Sequence, residues 1–307
     1  MIPNMKFYVV TIVAIFLALA IGIFVGFTLD AQNVMIGQRE DMAAKLEEKF
    51  DYLRSENVDL KKEMEALNEA DSQYKDFINK IYPELVKNRL SSLKVAIIET
   101  NDDYIYSGIG KSLELSGASV SSIITIKDKF LNEDLLLSTL NKDNIDEDLN
   151  KNNVIESSMS DLTKCIITGE KSETLDSLIA NDLINIVGDI KEPVDFIIVA
   201  GGSSSEEDAN NVGIIDKRII EFSKKSNVPV IGVEKTKVKF SYIDEYKNLR
   251  ISTVDNVDTV IGKVALIMAM EGRPGNYGIK PSSEELIPEP SSIISEWGEI
   301  LWILLRT

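Results

Sequence analysis

Histidine is missing from the chain altogether, and cysteine occurs once, at Cys165. Without imidazole there is no Ser-His-Asp or Cys-His nucleophile, no histidine general base and no ordinary zinc or Cu(II) donor set. One thiol closes no intramolecular disulfide, so either redox compartment is permitted. Its apolar setting, Thr163-Lys164-Cys165-Ile166-Ile167, reads as a small buried hydrophobe. Basic residues are scarce as well: 33 Lys and Arg stand against 50 Asp and Glu, a formal charge of −17, with an isoelectric point near 4.6. That excludes nucleic acid as a partner, whose phosphates need a basic face. It also disfavours contact of the globular part with anionic lipid. The acidity reads as a solvated surface. The soft donors left for Cu(I) are Cys165 and methionines. Met268 and Met270, two apart, do not share a helix face, and Met35 and Met42, a heptad apart, suit helix packing. There is no Cys-x-x-Cys or Met-rich site. No cofactor or metal residue is expected.

Charge is absent in another sense from Phe7 to Leu29, an uncharged run of 23 residues flanked by Lys6 and Asp30. As a helix it is about 34 Å long, enough for a hydrocarbon core of about 30 Å. With residues 1–6 as a short tail and 7–29 as the span, the positive-inside rule puts the N-terminus in the cytoplasm and the rest outside, a single-pass cell-membrane topology. The alternative is a cleaved signal peptide with Ala18-Leu19-Ala20 as its site, although Ile21 to Leu29 extend the apolar run beyond it. Gly22 and Gly26 form a G-x-x-x-G, the spacing for close contact between membrane helices.

Residues 30–90 carry heptads. Leu46, Leu53, Leu60, Leu67, Tyr74 and Ile81 recur every seven residues, and Phe50, Asn57, Met64, Asp71 and Ile78 form a second row. Leu at d with one Asn at a is the pattern of a parallel two-stranded coiled coil, where paired buried amides set the register. Asp71 at a weakens that seam by repulsion. A homodimer through this coil is the expectation; the other reading is one amphipathic helix packed on its own globular domain. The coil is expected to end near Tyr82-Pro83.

From 91 to 275 strands and helices alternate. Lys94–Glu99, Ser119–Ile126, Val194–Ala200, Val228–Val233 and Leu249–Thr253 read as strands. Helices are predicted over 105–115, 173–187, 214–222 and 257–270, with Gly117 and Gly272 as stops and Lys142 to Asn153 as a polar connection. The alternation predicts an α/β fold: a Rossmann-like domain with a mostly parallel sheet, after an N-terminal transmembrane helix and a long coiled-coil helix. Residues 276–307 read as a Pro-rich linker and an amphipathic helix bearing Ile293, Ile294, Trp297, Ile300, Leu301 and Leu304. That helix either docks on the chain or lies at the membrane interface with Trp297 and Trp302.

Phosphate motifs fail. Gly110-Lys111-Ser112 would need glycine at Ile105 for a P-loop, and Gly108-Ile109-Gly110 would need one at Leu113 for a dinucleotide fingerprint. The remaining candidate is a crevice at the carboxyl ends of the strands: Gly201, Gly202 and Ser203, opening the run through Ser204, Ser205, Glu206, Glu207 and Asp208, with Glu99 and Glu234 ending neighbouring strands. It could hold an anion on backbone N–H groups, or be a tight turn with a polar capping sequence. Two carboxylates without histidine or a recognisable nucleophile name no reaction.

Three stretches resemble the MctB family: Val9 to Gly26 in the apolar run; Leu53-Arg54-Ser55-Glu56-Asn57 in the coil; and Ser252-Thr253-Val254-Asp255-Asn256-Val257-Asp258-Thr259 with Gly275-Asn276-Tyr277-Gly278. The Ser-Thr-Val-Asp-Asn-Val-Asp stretch is the most specific. The resemblance covers most of the chain and implies a single-pass, extracytoplasmic coiled-coil protein with an α/β head. It implies a role in copper transport or homeostasis. Relatives of the SteB type imply instead a scaffold or signalling role in division and envelope remodelling, with a SteA-like partner at the cytoplasmic membrane. The resulting expectation is a non-enzymatic, membrane-anchored oligomer; the competing possibility is an α/β head that binds or converts a small ligand.

Overall fold

The computed structural model describes residues 5–140, 152–206 and 210–289. It comprises two compact units, 1–75 and 76–307, each taken by itself. The sequence-predicted amphipathic stripe at 293–304, the residues Glu207 and Asp208, and most of the 142–153 connection lie outside the described residues.

In the first unit the described residues are helical throughout, within α1 (Met5–Val86). Lys6–Thr28 is long and apolar enough to cross a membrane, with a mean hydropathy of 2.9. Its two hydroxyls bond back inside the helix, Thr11 Oγ1 to the Phe7 carbonyl at 2.9 Å and Thr28 Oγ1 to that of Val25 at 2.9 Å. A hydrocarbon environment requires that kind of internal satisfaction. No atom lies within 4 Å of a Cβ placed on Gly22 or Gly26, so that face is open. Leu46, Leu53, Asn57, Leu60, Met64 and Tyr74 are exposed, as are Phe50 (68%) and Leu67 (64%). The heptad seam is therefore a surface stripe of this chain, and pairing along it is a matter for a second copy.

The second unit opens with the end of α1, where Ile78 is half-buried and Ile81 39% exposed. The helix runs past Tyr82-Pro83, the predicted stop, to Val86. Proline forfeits one N–H while its carbonyl still accepts Lys87 N at 3.0 Å. Burial of Val86 and Leu90 in the core holds this last turn in place. A seven-stranded sheet follows, in the order β3-β2-β1-β4-β5-β6-β7: β1 (Lys94–Glu99), β2 (Ser119–Ile126), β3 (Ile184–Gly188), β4 (Phe196–Ala200), β5 (Val230–Val233), β6 (Ser252–Val254) and β7 (Asn276–Tyr277). Every pairing is parallel except β2 with β3. The helices are α2 (Ser107–Leu115), α3 (Glu133–Thr139), α4 (Asn152–Thr168), α5 (Glu173–Ala180), α6 (Lys217–Lys225), α7 (Ile243–Asn248) and α8 (Val260–Met270).

Alternation along the central strands divides two cores. Ala96, Ile98, Ile197 and Val199 join Met159, Leu162, Ile219 and Tyr246 on one face; Val95, Ile97, Ile198 and Ala200 join Ile109, Leu113, Ala265 and Leu266 on the other. Strands buried on both faces are near-continuous apolar runs, which is why they are legible as strands.

Three predicted elements change. The helix expected over 173–187 ends at Ala180. Asp182 takes a left-handed φ of 58°, and the β-branched Ile184, Ile186 and Val187 pair antiparallel with β2 instead. The strand expected over 249–253 moves to Ser252–Val254, because Arg250 at φ 54° closes the turn after α7. Within the 127–191 region, where the pattern is weak, α3 is capped by Asn132, whose side chain accepts Leu135 N at 3.0 Å, and α4 begins inside the expected polar connection. The sheet also continues beyond 275: β7 pairs with β6, and Glu284 N bonds to the Asn276 carbonyl at 2.8 Å.

Candidate functional site

The strand order reverses between β1 and β4, where an open parallel sheet ordinarily leaves a crevice at its carboxyl ends. Glu99, Gly201, Gly202, Ser203 and Glu234 all fall there, and all are buried. Their polar groups are taken up by the chain itself. Glu99 accepts Tyr106 N at 2.8 Å and Thr125 Oγ1 at 2.6 Å. Glu234, with no exposed surface, accepts Ser241 Oγ at 2.7 Å, the Tyr242 N–H and the ammonium of Lys280. Asn101 Nδ2 donates to the Gly202 carbonyl at 2.7 Å, and the Tyr106 hydroxyl to that of Gly201. Ser203 exchanges two backbone bonds with Phe240, each 2.9 Å, while Asp103 accepts Ser204 N at 2.7 Å.

The two glycines admit no side chain. A Cβ on Gly201 would stand 1.9 Å from the Tyr246 hydroxyl, and one on Gly202, at φ 95°, 2.5 Å from Val238. Below them lies Asp216, fully buried, whose Oδ1 accepts Thr100 Oγ1 at 3.0 Å and the Tyr246 hydroxyl, and whose Oδ2 has no hydrogen-bond partner. Burial pushes its carboxyl up to about 7. Burial also raises the Tyr246 hydroxyl, with Asp216 adding to it, and the Tyr106 hydroxyl, with the Glu234 charge as the next cause. Tyrosines in these surroundings stay protonated and act as donors.

Tyr106, Asp216, Tyr246 and Lys280 are not evident as partners in the sequence. Only Asp216 leaves a trace: Val212, Ile215, Asp216, Ile219 and Ile220 occupy one helical stripe, so a carboxylate stands at a core position.

A second arrangement is equally hidden. Asp255, fully buried, accepts Ile279 N at 2.8 Å, Lys280 N at 2.7 Å and Ser283 Oγ at 2.5 Å. Thr253 Oγ1 reaches Asn276 Oδ1 at 3.0 Å, Asp258 Oδ1 accepts Thr236 N at 2.7 Å, and Thr259 caps α8 through Gly262 N at 3.0 Å. The stretch Ser252 to Thr259 and the stretch Gly275 to Gly278, 16 residues apart at their nearest ends, are thus adjacent strands and loops of one sheet edge.

Fold and site together define a class: an apolar N-terminal helix suited to membrane association, followed by a Rossmann-like α/β head whose switch-point crevice is filled by its own side chains. The chain belongs to the MctB family, described as copper transport outer membrane protein, whose model matches residues 1–288. Comparison with curated proteins gives no match.

Proposed function

We propose that this chain is a non-enzymatic, single-pass envelope protein that serves a copper-transport-related function as a dimeric scaffold. The membership of the MctB family supports the copper connection. The observation that carries the scaffold reading is the passage, in one helix, from an uncharged 23-residue span to a regular surface stripe of Leu, Phe and Met. A parallel coil through Leu46, Phe50, Leu53, Asn57, Leu60, Met64, Leu67, Tyr74, Ile78 and Ile81 would cover that stripe, and Gly22 and Gly26 would let the spans approach. The N-terminus lies in the cytoplasm and the heads outside. A SteA-like protein at the cytoplasmic membrane is the kind of partner such an anchor pair would engage. The saturated crevice fits a head that presents surface and converts no substrate.

Mass measurement of the full chain in neutral detergent is expected to give a dimer, with Asn57→Leu shifting the order or register because the paired amides no longer discriminate. A monomer in both proteins would remove the coil from the reading.

Copper handling is tested separately. Among the described residues no group of three or more His, Cys, Asp or Glu side chains is placed to hold a metal ion. Copper would therefore be cargo of the assembly, and the purified chain under reducing conditions is expected to lose Cu(I) to a chelator of ordinary strength. Retention of one Cu(I) per chain against that competitor would make the protein itself the carrier and overturn the scaffold role.

A further inference from the structure

The amino ends of β4, β5 and β6, opposite the filled crevice, carry an apolar cleft of about 420 Å³. Phe196, Val228, Ile251 and Met270 line it, with Pro229 and Pro274 exposed on its rim. Two exposed cations, Lys224 and Arg250, border it. Among the described residues neither makes an ion pair. The Lys224 ammonium donates instead to the carbonyls of Leu249 and Arg250, the latter at 3.2 Å. Glu271, next to the cleft in sequence, is already held by Arg89 and Arg273. A basic rim around an apolar floor stands out in a chain with a formal charge of −17.

The chain itself is led to this cleft. After β7, Glu285 bridges to Tyr277, Pro288 is buried, and Arg273 Nη1 donates to the Glu289 carbonyl at 3.2 Å. Arg273 stands between Gly272 and Pro274, which both line the cleft. Glu289 is the last described residue, so the path is pinned at the rim where the description stops. The sequence beyond it places Ile293, Ile294, Trp297, Ile300, Leu301 and Leu304 at helical spacing, with Glu296 and Glu299 on one flank of that stripe. Trp297 comes eight residues after Glu289, which is about 12 Å of helix or up to about 28 Å of extended chain, so its indole reaches the cleft.

We propose that the cleft is the docking site of this chain's own C-terminal segment, residues 291–307, with Trp297 as the anchor and Glu296 and Glu299 turned to Lys224 and Arg250. The volume lies in the range of about 300–1,000 Å³ that encloses a bulky apolar group. An indole covers an apolar floor efficiently, burying about 150–250 Å². The acidic flank answers the basic rim. A helix seated on a membrane surface would instead carry a Lys/Arg face, whereas residues 291–307 hold Arg306 alone against the two glutamates. This surface is separate from the crevice at Gly201 and does not depend on the scaffold role.

The test uses the full chain in phosphatidylcholine vesicles. Pro229→Cys puts one accessible thiol on the rim, Cys165 being buried, and a bimane attached there is quenched by an indole in contact with it. The protein's two tryptophans, Trp297 and Trp302, both lie in the segment. The bimane is expected to lose most of its emission, and to regain it in Trp297→Phe but not in Trp302→Phe. Without any label, ending the chain after Glu289 is expected to lower the melting temperature of the head by about 5 °C or more, because the anchor's burial is lost. In Trp302→Phe, brominated phosphatidylcholine is expected to leave the Trp297 emission unchanged. Labelled chains carrying both Trp→Phe changes, mixed with unlabelled parent, are expected to stay bright. A bimane as bright in the parent as in Trp297→Phe, or an unchanged melting temperature in the shortened chain, would overturn the proposal. So would quenching by brominated lipid, which makes the membrane the partner of the segment, or quenching in the mixture, which makes a second copy the occupant.

Discussion

Asp255→Ala is expected to destabilise the head by about 4 kcal/mol and to free the segment beyond β7, since removing one partner of a buried charged network costs about 3–5 kcal/mol. Among the described residues the carboxylate is the one acceptor for three donors, Ile279 N, Lys280 N and Ser283 Oγ. Alanine leaves those N–H groups without the acceptor that turns the chain back along β6. β7 has only two residues and pairs with β6 through Thr253–Asn276 and Val254–Tyr277, so it has little else to hold it. Chemical denaturation followed by tyrosine near-UV dichroism measures the loss, and chymotrypsin reports it locally, because the bond after the buried Tyr277 becomes cleavable once the segment is released. Gly278→Ala approaches the same contact from the other side: at φ 139° its Cβ would stand 1.9 Å from Asp255 Oδ1. The two variants share one interaction, so their costs are expected not to add. An unchanged unfolding midpoint in Asp255→Ala would show that the turn is held elsewhere.

Asp216→Asn is expected to stabilise the head at pH 8 and to destabilise it at pH 4, where only the cost of its unpaired donors remains. Burial raises the folded carboxyl from 3.8 to about 7. Below pH 4 the acid is protonated in both states and contributes no difference. Between about pH 4 and 7 the unfolded chain ionises while the fold keeps its proton, so stability falls as pH rises; above pH 7 the fold has ionised too and the penalty levels off. A displacement of this size corresponds to at most about 4 kcal/mol. Asparagine retains an oxygen for Thr100 Oγ1 and the Tyr246 hydroxyl, but it adds two N–H donors where Oδ2 has no partner. The net gain at pH 8 is therefore set at about 2 kcal/mol, after an unpaired-donor cost of about 1–3 kcal/mol. Urea midpoints measured from pH 4 to 8 decide it: the parent should lose stability across the interval and the variant should not. Parallel profiles for the two proteins would place the titration on another group.

The legible parts of this chain are those where one residue pattern has a single physical outcome. A run of 23 residues without charge can only be long and apolar, and Lys94–Glu99 and Phe196–Ala200 are apolar on both faces because both faces are covered. The weak places are those where local propensity is overruled by contacts distant in sequence. Ile184–Gly188 follows a helix with scarcely a break and becomes a strand because β2 offers an unpaired edge. Glu99, Gly201 and Glu234 stand at the carboxyl ends of β1, β4 and β5, where each apolar run visibly stops in the sequence. What fills the space between them was not legible, because Tyr106, Asp216, Tyr246 and Lys280 arrive from four separate segments.

The sequence by itself determined the apolar N-terminal segment, the heptad stripe and the α/β character of the head, because hydropathy and periodicity are properties of neighbouring residues. Only the tertiary structure decided which polar groups meet: the closure of the switch-point crevice, and the Asp255 turn that joins Ser252–Thr259 to Gly275–Gly278. A buried charge is tolerated only where its partners converge in space, and that convergence is written in the fold and not in the spacing of the residues.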